Sequence, residues 1–170
     1  MNVVTTIIRS RHSVRKFKTD SIDDKVIQDA LECALCAPTA MNHQPYLFVI
    51  VKQKDTLSKI AGFADHGRFI EDSQACVAVF GEKQETYYLE DCCAATENLI
   101  LALQAYGVCS CWVAGDKKSY AEPVRELLKV PLKYTLVSLV AAGYPAEVPV
   151  VKKKLMKTLV YFEKYEEKLL

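Results

Sequence analysis

The sequence predicts an α+β domain in which helices pack on a central β-sheet. Short runs rich in β-branched and aromatic residues indicate strands, and longer runs with apolar residues at helical spacing indicate helices. The two kinds of segment follow one another along 170 residues without an internal repeat, a low-complexity segment or a flexible linker. A chain of this length can bury a substantial core, and we expect residues 1–170 to form a single domain.

The first part of the chain predicts two helices and a strand. Residues 3–8 form a short apolar helix. Ser21 and Asp24 resemble a capping box, and the apolar residues after them repeat at helical spacing. That helix should end before Pro38. Residues 46–52 combine β-branched and aromatic side chains, which indicates a strand.

The middle of the chain predicts its longest helix. Residues 55–64 indicate a modest helix, and residues 75–80 indicate a second strand. Residues 89–106 are apolar on all sides and are followed by Gly107, a typical residue at the end of a helix. We therefore expect a central helix that is buried on most of its faces.

The last part completes the sheet and leaves a tail. Residues 109–113 and 134–142 indicate strands, separated by a short helix at residues 122–128. Residues 150–170 contain three consecutive lysines and then LMKTLVYFEKYEEKLL, with no Gly or Pro to fold the segment back. We interpret this tail as an arm that packs on a second copy of the chain. Its run TLVYF could add as a strand to that copy's sheet.

The charge balance disfavours nucleic-acid and membrane partners. The 22 Lys and Arg residues nearly cancel the 21 Asp and Glu residues, so the chain offers no overall field to attract either. No run approaches the roughly 20 consecutive apolar residues that a membrane span needs. The N-terminal apolar run precedes basic residues, the reverse of a secretory signal, and we expect a cytoplasmic protein.

The seven cysteines do not indicate a disulfide framework, because their number is odd and they are scattered. Cys33 and Cys36 form a C-x-x-C, but inside a predicted helix and without the second ligand pair that structural zinc sites usually have. We favour buried free cysteines that act as small hydrophobes over a metal-binding protein.

The familiar catalytic motifs are missing. The three histidines, His12, His43 and His66, form no H-E-x-x-H or other compact metal spacing, so no metal site is predicted. The sequence contains neither a G-x-x-x-x-G-K-[ST] loop nor a G-x-G-x-x-G fingerprint. Phosphate, if it is bound, must be held by other means.

Two basic clusters could hold an anion. The first comprises Arg11, His12, Ser13 and Arg15. Guanidinium groups suit phosphate, and a hydroxyl can complete its shell. The second cluster is the run of lysines at 152–154. The alternative is that these residues face solvent or stabilise the C-terminal end of a helix.

A polar loop precedes the first strand. Between Pro38 and Pro45 it carries Thr39, Asn42, His43 and Gln44, which can donate or accept hydrogen bonds. Polar loops at the end of a buried strand are frequent ligand sites, because a rigid scaffold aims them. A plain solvated connection is the alternative.

Four motifs, in the right order, resemble the nitroreductase family of flavoproteins. RHSVRKF resembles that family's opening [R]-[RH]-S-x-[RK]-x-F, and APTAMNHQPYLFVIV resembles A-P-S-A-x-N-x-Q-P-W-x-F-V-V-V. DCCAATENLILALQAYGVCSCWVAG is similar to the long central helix that leads into G-x-x-S-C-W-x-x-G, and AAGYP is similar to the late G-Y-P turn. The set spans the chain from Arg11 to the tail.

The resemblance implies a homodimer with FMN at the subunit interface. It implies a central mixed or antiparallel sheet flanked by helices, with the arm of residues 150–170 exchanged between subunits. The matching positions for the phosphate and the pyrimidine side of the ring are Arg11, His12, Ser13 and Arg15. The matching loop against the flavin contains Pro38, Thr39, Ala40, Asn42 and Gln44, the last two serving the partner's copy. The segment beside the isoalloxazine is Trp112, Val113, Ala114 and Gly115, and the late phosphate ligands are Lys152 and Lys154.

The chain departs from the family pattern at several positions. Thr39 stands for the commoner Ser, Tyr46 replaces the usual Trp, and the late pair is Lys152 and Lys154 rather than Lys and Arg. The chain is also short, and we expect it to lack the helical insertion that covers the substrate in classical members.

The function implied by the resemblance is an oxidoreductase that passes hydride from NADH or NADPH through FMN to a small-molecule electron acceptor. A nitroaromatic, a quinone or a free flavin would serve. The cofactor carries the chemistry, so no residue of the chain is assigned as a catalytic acid or base. The alternative is a flavin-binding carrier or sensor without turnover.

Overall fold

The structure, a computed structural model, describes residues 2–165. In this range the α-helices are α1 (Val3–Ser10), α2 (Asp24–Leu35), α3 (Lys54–Phe63), α4 (Tyr88–Ala105) and α5 (Ala121–Leu127). The strands are β1 (Tyr46–Val51), β2 (Ala75–Glu82), β3 (Cys109–Ala114) and β4 (Tyr134–Gly143). Short 3-10 helices lie at Ala40–Asn42, Arg68–Asp72 and Met156–Thr158. The predicted α+β class and the helices and strands predicted up to residue 143 are confirmed.

The strands form a four-stranded antiparallel sheet in the order β1-β2-β4-β3. The central pair is β2 and β4, in which Val77 lies opposite Val140. The register of this pair shifts between Val79 and Phe80, where the ladder is locally irregular. In the described chain β1 and β3 are the two edges of the sheet, on opposite sides of the molecule.

The sheet separates two apolar layers, because successive side chains of a strand point to opposite faces. On β2, Val77 and Val79 pack in the layer that contains α2 and α4. Cys76, Ala78 and Phe80 pack in the layer that contains α3 and α5. Burying a side chain as large as Phe80 stabilises the fold by about 1.5–3 kcal/mol.

The second helix begins later than predicted. Asp23, not Ser21, is the N-cap of α2, and its carboxylate accepts a hydrogen bond of 2.9 Å from the Lys25 amide. Ile22 is almost fully buried, so residues just before the helix must stay extended to bring that side chain into the core. The predicted capping box of Ser21 and Asp24 is therefore wrong.

The long helix α4 is buried on most of its faces, as predicted. Its buried residues include Cys92, Leu99 and Leu103, and only a few of its residues are exposed. The chain leaves the helix through Gly107, whose φ of +72° is a left-handed conformation that glycine adopts without strain. No helix described here, α4 included, is both long and apolar enough to cross a membrane.

The interpretation of the cysteines is only partly correct. Cys76, Cys92, Cys109 and Cys111 are buried, and Cys93 is half-buried. Cys33 and Cys36 are exposed, which contradicts their interpretation as buried hydrophobes. Helix α2 buries the face that carries Ile27, Ala30 and Ala34, and the C-x-x-C lies outside that face.

The basic segment after α1 crosses the end of the sheet. Phe17 forms an antiparallel bridge with Pro145, and the Ala146 amide donates a hydrogen bond of 2.9 Å to the Lys16 carbonyl. A Cβ atom on Gly143 would lie 2.8 Å from Cδ1 of Phe17, so glycine is needed for the ring to fit. Val14 is fully buried and fixes the start of the segment.

The tail contributes little regular structure to its own chain. Residues 150–160 are exposed, and the single turn Met156–Thr158 is a 3-10 helix. The run TLVYF is therefore not a regular strand in this chain. Residues 166–170 of the predicted arm lie outside the described part of the chain.

Candidate functional site

Two of the predicted motifs meet at the outer edge of β3. Ser13 forms a parallel bridge with Ser110, and the Val14 amide donates a hydrogen bond of 3.0 Å to the Ser110 carbonyl. Parallel chains advance in the same direction, which brings Arg15 alongside Trp112. Residues from the first and third motifs thereby become neighbours.

A cavity of about 160 Å³, which we call the edge pocket, opens at this edge. It is lined by Arg15, His66, Phe69, Cys111, Trp112, Val113, Ala114, Lys118 and Tyr120. The guanidinium carbon of Arg15 lies 5.7 Å from the centroid of the Phe69 ring. The lining therefore combines aromatic surface with cationic side chains.

Three predicted ligands act together on the thiol of Cys111. Burial raises the pKa of Cys111, while Arg15, the Ser13 side chain and Arg11 lower it to a smaller extent. These three residues are close enough to one group to influence its ionisation. Guanidinium groups held in this way suit an anion or the electron-rich edge of a heterocycle.

The fourth residue of the first motif has a different environment. Nδ1 of His12 lies 2.7 Å from the carbonyl oxygen of Ser10, which directs the ring toward the end of α1. His12 is half-buried and does not line the edge pocket.

The segment that follows Trp112 is held rigidly. A Cβ atom on the buried Gly115 would lie 2.5 Å from Cγ of Leu136, so no larger residue fits there. The Gly115 amide donates a hydrogen bond of 2.8 Å to the Val137 carbonyl. The hydroxyl of Tyr120 donates to the Ala114 carbonyl. Trp112 to Gly115 therefore form a fixed wall beside the edge pocket.

The predicted polar loop lies before β1. Its backbone has left-handed φ values of 50° at Met41, 59° at Asn42 and 51° at Gln44. Asn accepts this conformation more readily than other non-glycine residues, and each of the others costs on the order of 1 kcal/mol. The side chains of residues 41–44 are exposed.

Three hydrogen bonds hold residues 39–44, which we call loop 39–44, in this strained shape. The Gln44 amide donates to Oγ1 of Thr39 at 3.2 Å. The Ala40 amide donates to the carboxylate of Asp91, with distances of 3.1 and 3.3 Å to its two oxygens. Nδ1 of His43 lies 2.7 Å from a carboxylate oxygen of Glu85. An exposed, polar loop is thus presented in one conformation.

The structure does not bring this loop to the edge pocket within one chain. Loop 39–44 leads into β1, whereas the edge pocket flanks β3, and these strands are opposite edges of the sheet. No residue of Pro38–Gln44 lines the edge pocket. Arg11, Ser13 and Arg15 are therefore grouped with Trp112–Gly115, and the loop forms a second, separate group.

The predicted late lysines join neither group. Lys152 and Lys154 are exposed, in a stretch of the tail without helix or strand. Among residues 2–165, no three His, Cys, Asp or Glu side chains are grouped so that they could hold a metal ion.

Five residues of the edge pocket were not among the predicted site residues. Cys111, in β3, is one of them, and the other four are His66, Phe69, Lys118 and Tyr120. They come from the chain before β2 and from the turn after β3. No local pattern marks them, since the fold alone brings these segments to Arg15. His66 could be noted in the sequence only as one of three histidines.

Two family models match the chain. The model described as "Nitroreductase family" matches residues 8–75, and the one described as "Putative TM nitroreductase" matches residues 56–169. The second match alone covers well over half of the chain.

Individual relatives agree with this assignment. A protein of Archaeoglobus fulgidus named "Putative NADH dehydrogenase/NAD(P)H nitroreductase" is 31% identical over 147 residues, covering 83% of this chain and 84% of its own length. The "NADPH-flavin oxidoreductase" of Vibrio harveyi is 25% identical over 183 residues, covering 98% of this chain and 75% of its own.

A solved structure from Parabacteroides distasonis, titled as a "Putative NADH dehydrogenase/NAD(P)H nitroreductase", has the same fold. Its TM-score is 0.92 at 25% sequence identity, and the match covers 97% of this chain and all of that one. Sequence and fold lead to the same assignment: the chain belongs to the nitroreductase family of oxidoreductases.

Proposed function

We propose that the protein is an FMN-dependent oxidoreductase that uses NADH or NADPH to reduce a small-molecule electron acceptor. The observation that carries the proposal is the edge pocket, where Arg15 lies beside Cys111 and Trp112, and where the bridge from Ser13 to Ser110 holds the first motif against β3. Cationic and hydroxyl donors next to an aromatic wall fit a flat heterocycle that carries a phosphate.

The donor set supports FMN as the flavin. Arg11, Ser13 and Arg15 would hold the phosphate and the pyrimidine edge, and Trp112 to Gly115 would lie along the ring. Lys152 and Lys154 would add cationic phosphate ligands from the exposed tail. No adenine-binding fingerprint is present in the sequence, which favours FMN over FAD.

The chain's own residues have three tasks in the reaction. The cationic side chains neutralise the anionic cofactor, the wall orients its ring, and loop 39–44 excludes water from one side. When bound, FMN supplies two-electron chemistry between a nicotinamide and an acceptor such as a nitroaromatic, a quinone or another flavin. The names of the relatives in Archaeoglobus and Vibrio, an NAD(P)H nitroreductase and an NADPH-flavin oxidoreductase, support this class of reaction.

We further propose that each flavin site is shared by two copies of the chain. Within one chain the edge pocket and loop 39–44 lie at opposite edges of the sheet, so one copy supplies only half of the predicted contacts. Helix α1 supports association, because Val3 is 72% exposed and Val4 is 57% exposed.

The tail fits the same arrangement. Its apolar residues Leu155, Leu159 and Phe162 are more than half exposed in the single chain. In a homodimer these side chains would be buried against the partner, and the arm would clasp it. Residues 150–170 would then be part of one chain's flavin-binding domain and would pack on the surface of the other chain.

The test is the absorbance spectrum of the purified protein, followed by anaerobic titration with NADH and NADPH. We expect a yellow protein that either nucleotide bleaches, and heat should release a flavin with the mass of FMN. FAD as the sole flavin would contradict the cofactor assignment. A yellow protein that neither nucleotide reduces would instead support a flavin carrier or sensor.

A further inference from the structure

The start of helix α4 contacts both of the groups that one chain would contribute to flavin binding, loop 39–44 and the segment that ends at Gly115. The hydroxyl of Tyr88 donates a hydrogen bond of 2.8 Å to Oδ1 of Asp116, the residue directly after Gly115. Three residues later, the carboxylate of Asp91 accepts the hydrogen bond from the Ala40 amide in loop 39–44. Side chains three apart lie on the same helix face, so one helical turn reaches both groups.

The Asp91 carboxylate accepts a hydrogen bond from the loop and does not cap its own helix. The residue is only 6% exposed, and a carboxylate is costly to bury unless it has hydrogen-bond partners. The N-cap position of α4, Tyr87, provides no side-chain cap for the first turn of the helix. Asp91 nevertheless directs both oxygens toward Ala40.

The bond at Ala40 lies where loop 39–44 becomes strained. Met41, the next residue, begins the left-handed stretch that continues through Asn42. Strained backbone persists only where surrounding contacts hold it. The Asp91 bond fixes the entrance of that stretch, while the bonds at His43 and Gln44 fix its other end.

The contact with Asp116 is equally well defined. Cδ2 of Tyr88 would lie 2.6 Å from a Cβ atom on Gly81, so this glycine makes room for the ring. Burial, and then the bond to Asp116, raise the pKa of Tyr88 to about 12. The hydroxyl therefore remains a donor at neutral pH. The Asp116 side chain is itself only 14% exposed.

We propose that Tyr88 and Asp91 are positioning residues, one for each of the two half-sites that a single chain contributes to the two flavin sites of the dimer. Asp91 sets loop 39–44, and Tyr88 sets Asp116 and the turn after Gly115, so that a carboxylate stays fixed at the end of the wall beside the edge pocket. This inference rests on the proposed function, because it takes both groups to face a flavin.

The first experiment is independent of bound flavin. In flavin-stripped protein, amide hydrogen exchange at residues 39–44 is compared between wild type, Asp91→Ala and Asp91→Asn. We expect faster exchange at Ala40 in Asp91→Ala and near-normal exchange in Asp91→Asn, which keeps an oxygen acceptor. Unchanged exchange in Asp91→Ala would overturn the role of Asp91, whether or not the wild type binds flavin.

The second experiment measures flavin binding. Losing the bond should weaken FMN affinity about five- to a hundredfold in Asp91→Ala, and Asp91→Asn should restore most of it. Tyr106 and Asp29 form a matched tyrosine–carboxylate bond of 2.9 Å at the far end of α4, so Asp29→Asn and Tyr106→Phe serve as controls. Equal affinities for Asp91→Ala and the controls would overturn the proposal.

The third experiment measures the reduction potential of the bound flavin. A negative charge near the ring opposes electron uptake, so Asp116→Asn should raise the midpoint potential. Tyr88→Phe removes a donor from the carboxylate and should lower the potential. A purely structural role for Tyr88 predicts no shift, and an unchanged potential in both variants would overturn the second half of the proposal. Absence of flavin from the wild type would instead sink the proposed function.

Discussion

The position of Arg15 is set by a single β-bridge that the chain forms two residues earlier. Because Ser13 pairs with Ser110, the guanidinium lies next to Trp112 and above the ring of Phe69. Lys153 has no such environment, since it is exposed in an irregular part of the tail. Arg15 and Lys153 carry the same formal charge, but Arg15 is therefore better placed to bind an anion.

We expect Arg15→Ala to weaken FMN binding more than Lys153→Ala. Loss of a hydrogen bond to a charged group costs about 1.5–3 kcal/mol, whereas a solvated lysine should cost little. Titration of each stripped variant with FMN, followed by flavin fluorescence, measures the difference. Equal dissociation constants would contradict the assignment of Arg15.

Tyr88 should make stability depend on pH in the alkaline range. Its pKa is raised from 10 to about 12 in the folded chain, by burial and by the bond to Asp116. The unfolded chain therefore ionises first, so the stabilisation is complete below pH 10 and is lost as pH rises toward about 12.

Chemical unfolding across this pH range tests the effect. Tyr88→Phe should show a smaller fall in unfolding free energy between pH 10 and 12 than wild type. Tyr87→Phe, at a half-exposed position, controls for the removal of one tyrosine. Parallel curves for wild type and Tyr88→Phe would exclude the predicted contribution.

At the level of elements, local patterns predicted the fold to within one or two residues at most boundaries. The strands β2 and β4 are buried on both faces and read as continuous apolar runs. The start of α2 was wrong because Ile22 must reach the core, and that requirement is tertiary. A helix cap that depends on tertiary packing cannot be predicted from the spacing of nearby residues.

The site was predictable only where it is contiguous in sequence. The segments that contain Arg15, Trp112 and loop 39–44 carry family motifs. His66 and Lys118 reach the edge pocket from two loops with no pattern of their own. The contacts of Tyr88 and Asp91 depend on how α4 docks, and an apolar helix pattern says nothing about them.

Two glycines should respond to substitution in opposite ways. Gly115→Ala places a methyl group 2.5 Å from Cγ of Leu136, and overpacking of this kind costs about 1–3 kcal/mol. Gly62→Ala in α3 meets no atom within 4 Å and should gain about 0.5–1 kcal/mol from helix propensity. Thermal unfolding of both variants decides, and equal melting temperatures would refute the packing argument.

At the scale of the whole molecule, the distance between the two proposed half-sites, loop 39–44 and the edge pocket, determines how a flavin can be bound. A four-stranded sheet with the order β1-β2-β4-β3 places loop 39–44 and the edge pocket three strands apart. Adjacent strands are about 4.8 Å apart, so the two groups are separated by more than 10 Å. Under the proposed function, both groups contact one flavin only when two chains associate.

A truncation after Pro149 should remove the dimer and the flavin together. It deletes the exposed apolar residues of the tail and also Lys152 and Lys154. Light scattering gives the mass of the truncated protein, and absorbance gives its flavin content. A yellow, well-folded dimer would show that the tail is neither a clasp nor a ligand.

The separation of the half-sites also has a genetic consequence. In a dimer of one Arg15→Ala chain and one Gln44→Ala chain, one site would carry both defects and the other would have two wild-type halves. Refolding the two weakened variants together would therefore restore wild-type FMN affinity at about one site in four. Arg15→Ala and Ser13→Ala damage the same half and should never rescue each other. Complementation between two mutant alleles would then be a consequence of the strand order, which places the two half-sites at opposite edges of the sheet.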